Sequence, residues 1–180
     1  NQKRKNWKGK EPQLFGVVSE YQKSEHSKQD RMKWKLIMEI YRSQKTYVDK
    51  ITLVCEKYIY QLRKTNSRAS GATREDLRLL FGSFEVIVSL DQDILSGLKD
   101  KLYSPYLEPC IGDVLIRMGP IFELYVQYCR GFDKSFSTLA KLQNKSKLFP
   151  EYLEKLYKQS GTKIPLMTML EFPVQRFICF

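Results

Sequence analysis

The chain has 180 residues, and its 31 Lys and Arg against 20 Asp and Glu leave a net charge of +11. That length suits one domain, and 42% hydrophobic with 13% aromatic residues is enough for a sizeable core. No apolar run approaches the ~20 residues that span a bilayer, and the basic, polar opening lacks the apolar stretch of a signal peptide; the expectation is free thiols in a reducing cytoplasm, with recruitment to a membrane surface open to the protein.

The charge is unevenly spread. Residues 1–35 hold ten Lys and Arg against four Asp and Glu, so six of the eleven excess positive charges lie there. A basic arm of this kind favours anionic surfaces such as lipid headgroups, and it also reads as a solvated tail. Within it, residues 1–10 look extended, with Trp7 as an isolated aromatic. Residues 13–22 place Leu14, Val17, Val18 and Tyr21 on one face of a short amphipathic helix that packs back on the domain. The expected division is a basic arm over 1–30 and a helical domain over 31–180.

The stretch KWKLIMEIYRSQKTYVDKI, residues 33–51, organises the rest. Leu36, Ile37, Ile40, Tyr41, Tyr47, Val48 and Ile51 recur at helical spacing, and Val54, Cys55, Tyr58, Ile59 and Leu62 continue the stripe. The opposite face carries Glu39, Arg42, Ser43, Thr46, Asp49 and Lys50. The spacing predicts one helix from about Asp30 to Thr65, roughly 50 Å long at 1.5 Å per residue. It ends at the loop-forming run 66–72, which contains Gly71.

Thr73-Arg-Glu-Asp76 reads as a capping box opening a helix that runs to about Leu98. Ser104-Pro105 and Glu108-Pro109 break the chain. Gly112-Asp113 reads as the cap of a helix carrying Val114, Leu115, Met118, Ile121, Phe122, Tyr125 and Val126. Pro120 predicts a kink or a break inside it, and Gly131 its end. Phe132, Phe136, Leu139 and Leu142 form a further stripe. Pro150 stands in the first turn of a helix that Ser160-Gly161 stops. Pro165 opens a last helical stretch from Leu166 to Phe180, interrupted by Pro173. No strand alternation of useful length appears, and the fold class is all-α.

Several chemistries have no residues to carry them. Cys55, Cys110, Cys129 and Cys179 form no C-x-x-C pair, and His26 is the single histidine, so no metal site is expected. Cys55 lies on the apolar stripe and is expected to be buried. The phosphate-cradling, dinucleotide, zinc-protease and serine-hydrolase motifs are all absent. No cofactor and no covalent catalysis are expected. Nor do the aromatics interleave with the basic arm as a nucleic-acid platform requires.

Four segments resemble the Dbl homology (DH) domain, the exchange module for Rho-family GTPases. LIMEIYRSQKTYVDKI is similar to its first signature helix, with Glu39, Ser43-Gln44 and Tyr47-Val48 at the acidic, Thr-Glu and Tyr-Val places. LRLLFGSFEVIVSLDQDILSGL, residues 77–98, resembles the second signature. IGDVLIRMGPIFELYVQYC, residues 111–129, resembles the central helix, and MLEFPVQRFICF, residues 169–180, the third signature, L-I-K-P-x-Q-R. All four occur in the family's order.

The resemblance implies an elongated DH-type helical bundle that binds a Rho/Rac-type small GTPase and promotes GDP release by remodelling its switch regions. It is an exchange factor, not an enzyme. The first and third signatures would lie side by side as the docking surface. Glu39 would contact switch I, and Ser43, one turn on, keeps the hydroxyl of the usual Thr. Gln44 replaces Glu and loses a charge. Val174, at the variable position between Pro173 and Gln175, would abut the GTPase strand between the switches. Phe172 stands where the family has Lys, so either that contact is apolar here, or exchange is weak or draws on another residue. Gln175 and Arg176 would hold the two signature helices together. The resemblance further implies that the last long helix is incomplete at Phe180, with a PH domain expected beyond it. Phe172, Gln44 and the basic arm also fit a second class, a non-catalytic helical scaffold or a module that binds anionic membranes.

Overall fold

The structure, a computed structural model, describes residues 28–103 and 110–178. The expectations for Trp7, the 13–22 helix, His26, the prolines at 105 and 109, and Cys179 lie outside these residues. Among the described residues every regular element is helical.

Helix α1 covers Lys28–Val54. It passes without a break through a π-helical segment, Cys55–Ile59, into α2, Tyr60–Lys64. Thr65 turns extended and ends the rod, as the loop-forming residues after it predict. Ile37, Tyr41, Val48, Ile51, Tyr58 and Leu62 are all buried. Cys55 is buried as expected, and desolvation pushes its thiol up to about 12. Leu36 and Ile40 depart from the predicted stripe, at 52% and 39% exposed. They share a flank of α1 with Tyr47. At Tyr47 that flank is covered by Tyr125 and by the Arg176 guanidinium. Toward the start of the helix the flank is open among the described residues.

A one-turn helix, α3 (Ser67–Ser70), occupies the predicted loop. Gly71 closes it at φ +71°, and a Cβ there would come within 3.1 Å of the Leu148 Cβ and 3.3 Å of the Phe149 nitrogen. Both facts call for glycine. Helix α4, Arg74–Phe81, opens on the expected capping box. The Thr73 hydroxyl accepts from the Asp76 N–H at 3.1 Å, and the Asp76 carboxylate accepts from the Thr73 N–H at 3.0 Å and hydroxyl at 2.7 Å. Those bonds hold the Asp76 carboxyl below its ordinary range, with desolvation opposing and Lys141 and Lys145 assisting. Thr73→Ala should therefore cost about 1 kcal/mol of unfolding free energy, read from urea titrations. Because the folded pKa of Asp76 is depressed, the stability it lends is present at neutral pH and is lost as pH falls through and below the ordinary Asp value. The penalty of Thr73→Ala should shrink accordingly in acid.

The predicted helix 74–98 is two helices. Gly82, at φ +50° and ψ −126°, breaks it, and α5 then runs from Phe84 to Tyr103. Phe81 and Phe84, on either side of the break, are both 0% exposed. A short α6, Gly112–Ile116, follows, with Asp113 held to Lys101 at 2.8 Å. Neither Gly112 nor Asp113 is its cap, since the cap position is Ile111. The break at Pro120 falls just before it, where the missing N–H costs least, and α7 starts at Gly119. α7 continues to Lys145, so Gly131 does not end it. A helical glycine costs about 1 kcal/mol. Burial of Tyr128, Ser135, Leu139 and Leu142 on either side outweighs that.

Helix α8, Leu148–Ser160, ends at left-handed Gly161 as predicted. α9, Leu166–Leu170, and α10, Phe172–Ile178, complete the described chain and divide at Glu171, just before Pro173. The core lies where α1, α5 and α7 meet. Phe84, Ile87 and Leu98 from α5 and Ile51 from α1 are no more than 1% exposed. α10 packs on both α7 and α1. Phe177 stacks on Tyr125 with centroids 6.1 Å apart and the rings 14° from parallel. This places the last described helix against the exposed face of the first.

Candidate functional site

The polar face of α1 is solvent-facing where the sequence put it. Glu39, Arg42, Ser43, Thr46, Asp49 and Lys50 are all exposed. Beside it, α10 crosses close to Ser43. The two helices form the walls of an open groove of about 760 Å³. Trp34, Met38 and Tyr47, each under 10% exposed, supply apolar surface at its floor. Glu39 and Ser43 line one wall, and Phe172, Gln175 and Arg176 the other.

The groove is electrostatically lopsided. Arg31, Lys35, Arg42, Lys50 and Arg176 line it, and Glu39 is the one carboxylate among its lining residues. The Lys50 ammonium lies 5.8 Å from the centre of the Phe172 ring. Phe172 is half-buried and packed against the core. At the position where the resemblance calls for a lysine, this chain therefore brings a cation from α1 to an aromatic ring.

The five predicted site residues divide. Glu39, Ser43 and Phe172 share the groove. Val174 does not line it. Phe172, Gln175 and Arg176 fall on one face of α10 at helical spacing, which leaves Val174 facing away, half-buried against the core. Gln44 does not reach the groove either. It is 1% exposed, and its side chain turns inward to Asp91. The lost charge at this position is a feature of the interior, not of the surface.

Arg176 joins the two helices, as the resemblance implied. It donates to the Ser43 Oγ at 2.8 Å and to the Gln44 Oε1 at 2.7 Å, and its guanidinium lies 5.4 Å over the Tyr47 ring. Gln175, by contrast, is exposed on the groove wall and stands outside that junction. Beneath the junction, burial pushes the Asp91 carboxyl up, opposed by hydrogen bonds from Tyr125 and Gln44 and by the charge of Arg176. Burial also raises the Tyr47 and Tyr125 hydroxyls far above their ordinary value. Sequence reasoning passed over Asp91. One signal was there: it falls three and four residues after Val88 and Ile87, on the buried stripe of α5.

Residues 36–179 match the RhoGEF domain family. The human protein named FYVE, RhoGEF and PH domain-containing protein 2 is 32% identical over 146 residues, covering 79% of this chain and 22% of that protein. Human Rho guanine nucleotide exchange factor 4 is 28% identical over 155 residues, 85% of this chain and 22% of its own length. The chain thus spans about a fifth of these relatives. A solved structure of the Vav1 exchange factor superposes with a TM-score of 0.70 at 20% identity, covering 80% of this chain and 38% of that one. At that identity the superposition speaks for the fold, an all-α DH-type bundle. With the family matched over residues 36–179, and with the first and third signature helices meeting at one groove, this chain belongs to the RhoGEF domain family.

Proposed function

We propose that this chain is a guanine nucleotide exchange module that docks a Rho/Rac-type small GTPase in the groove between α1 and α10 and promotes GDP release. The observation that carries the reading is the meeting of Glu39 and Ser43 with Phe172 in one open groove, although the two segments lie more than 120 residues apart. Family membership and the name of the relative Rho guanine nucleotide exchange factor 4 support the GTPase class.

The mechanism is linkage and needs no covalent chemistry. A surface that binds the nucleotide-free GTPase more tightly than the loaded one must weaken nucleotide binding by the same factor. Each ~1.4 kcal/mol of that preference is tenfold in nucleotide affinity. In this reading Glu39 accepts N–H groups from switch I, drawing it away from the nucleotide with charge-assisted bonds. The Ser43 hydroxyl, one turn along, is already oriented by Arg176. Phe172 with Lys50 offers a mixed apolar and cationic contact in place of the usual lysine.

The test uses the 180-residue chain and a panel of Rho-type GTPases loaded with fluorescent GDP. Release should accelerate in proportion to added chain for at least one of them. Failure with every GTPase in the panel overturns the activity.

A further inference from the structure

Gln44 is not explained by the groove. It is 1% exposed while Arg42, Ser43 and Thr46 beside it face solvent. Its amide is gripped from both sides. The Nε2 donates to the Asp91 Oδ1 at 2.7 Å, and the Oε1 accepts from Arg176 at 2.7 Å. A carboxylate can only accept and a guanidinium can only donate, so these partners fix which way the amide points. Asp91 is itself 0% exposed. Its second oxygen accepts from the Tyr125 hydroxyl at 2.7 Å, which lies 2.8 Å from the Tyr47 hydroxyl. Arg176 uses its other nitrogen on Ser43. A continuous line of contacts thus runs from the core of α5, across α1, to α10 and out to the groove.

A buried carboxylate is costly unless fully hydrogen-bonded. Plain packing would favour an apolar residue at 91, like Ile87, Val88 and Ile94 around it. What Asp91 imposes is polarity. It requires a donor at 44, and a carboxylate there would press two buried acids together. Gln alone among side chains of this length can face an acid on one side and a cation on the other.

We infer that Asp91 is a positioning residue: acting through Gln44, it fixes Arg176, and with it the seating of α10 on α1 that sets Phe172 opposite Glu39 and Ser43. Asp91 touches no partner. Its consequence for exchange rests on the proposed function, whereas its hold on α10 does not.

The test is an inversion of polarity. Asp91→Leu is close in size and removes both acceptors, so the Gln44 Nε2 loses its buried partner, whereas Asp91→Asn alone can accept from Gln44 and donate to the Tyr125 oxygen and would disturb little. Gln44→Glu alone sets carboxylate against carboxylate. In the double variant Q44E/D91N the new amide at position 91 donates to the new carboxylate at position 44 and accepts from Tyr125. That carboxylate also pairs directly with Arg176. Every bond is restored with the charge moved one step outward. Two readouts are taken on the full chain: backbone hydrogen exchange of Phe172–Ile178, and stimulated GDP release against chain concentration. Asp91→Leu and Gln44→Glu should each raise exchange in α10 at least tenfold and lower release at low chain concentration about tenfold, with helicity kept. The double variant should return both to within threefold of the parent. Wild-type protection of α10 in Asp91→Leu overturns the inference, and so does a double variant no better than the worse single. If a single variant does not fold, the double decides alone: folded with α10 protected supports the inference, and unfolded refutes it. Should the parent release no GDP, the exchange reading falls, and hydrogen exchange still decides the hold on α10.

Discussion

Glu39→Ala is expected to lower stimulated GDP release about 30- to 100-fold and to leave the melting temperature unchanged. A hydrogen bond to a charged group contributes about 1.5–3 kcal/mol, and each ~1.4 kcal/mol is tenfold in rate. Glu39 is the one carboxylate among the residues lining a groove otherwise rich in cations, so no neighbouring acid can substitute for it. It is also exposed, and surface substitutions of this kind usually fall within about 0.5 kcal/mol of neutral. Kinetics and melting should therefore separate cleanly. The measurements are GDP release under single-turnover conditions and thermal unfolding followed by circular dichroism. Equal damage to both would make Glu39 a folding residue, and damage to neither would move the docking surface elsewhere. Glu39→Gln should fall between, since it keeps an acceptor and loses the charge.

Phe84→Ala carries the largest expected loss of stability, about 3–5 kcal/mol for a large buried ring. Phe84 is 0% exposed and meets the Tyr128 ring at 6.0 Å and 64°, close to edge-on. The Tyr128 hydroxyl in turn donates to the Leu170 carbonyl at 2.8 Å, at the end of α9 and two residues before α10 begins. A hole at Phe84 would loosen that anchor as well as the α5–α7 contact. The loss is a large part of the roughly 5–15 kcal/mol by which domains are stable. The melting temperature should drop by roughly 10–15 °C. A drop under about 3 °C would mean that the surrounding side chains collapse into the space and that the ring is not the keystone of the α5–α7 seam.

What could be read from the residues alone was whatever a few neighbours along the chain decide. The Thr73–Asp76 box, the stop at Thr65 and the left-handed Gly161 are local geometries, and each formed as its residues dictate. The burial of Tyr47, Val48 and Ile51 follows from helical spacing and the preference of apolar surface for the interior. The signature order pointed to two helices sharing one surface, and Glu39, Ser43 and Phe172 do share a groove.

The rest depended on which element lies across from which. Gly82 breaks a helix and Gly131 does not: the first adopts a positive φ outside the helical region, and the second is held in the helix by buried residues on both sides. Leu36 and Ile40 repeat the apolar stripe but stay 52% and 39% exposed. Gln44 reads as a surface residue until Asp91, 47 positions on, and Arg176, 132 positions on, close around it. Val174 and Phe172 are two residues apart and face opposite ways once α10 is seated. A helix and its ends are set by bonds spanning three or four residues, which sequence displays. Burial, polarity and the shape of a groove are set by contacts between segments far apart in the chain, and only the folded arrangement brings those together.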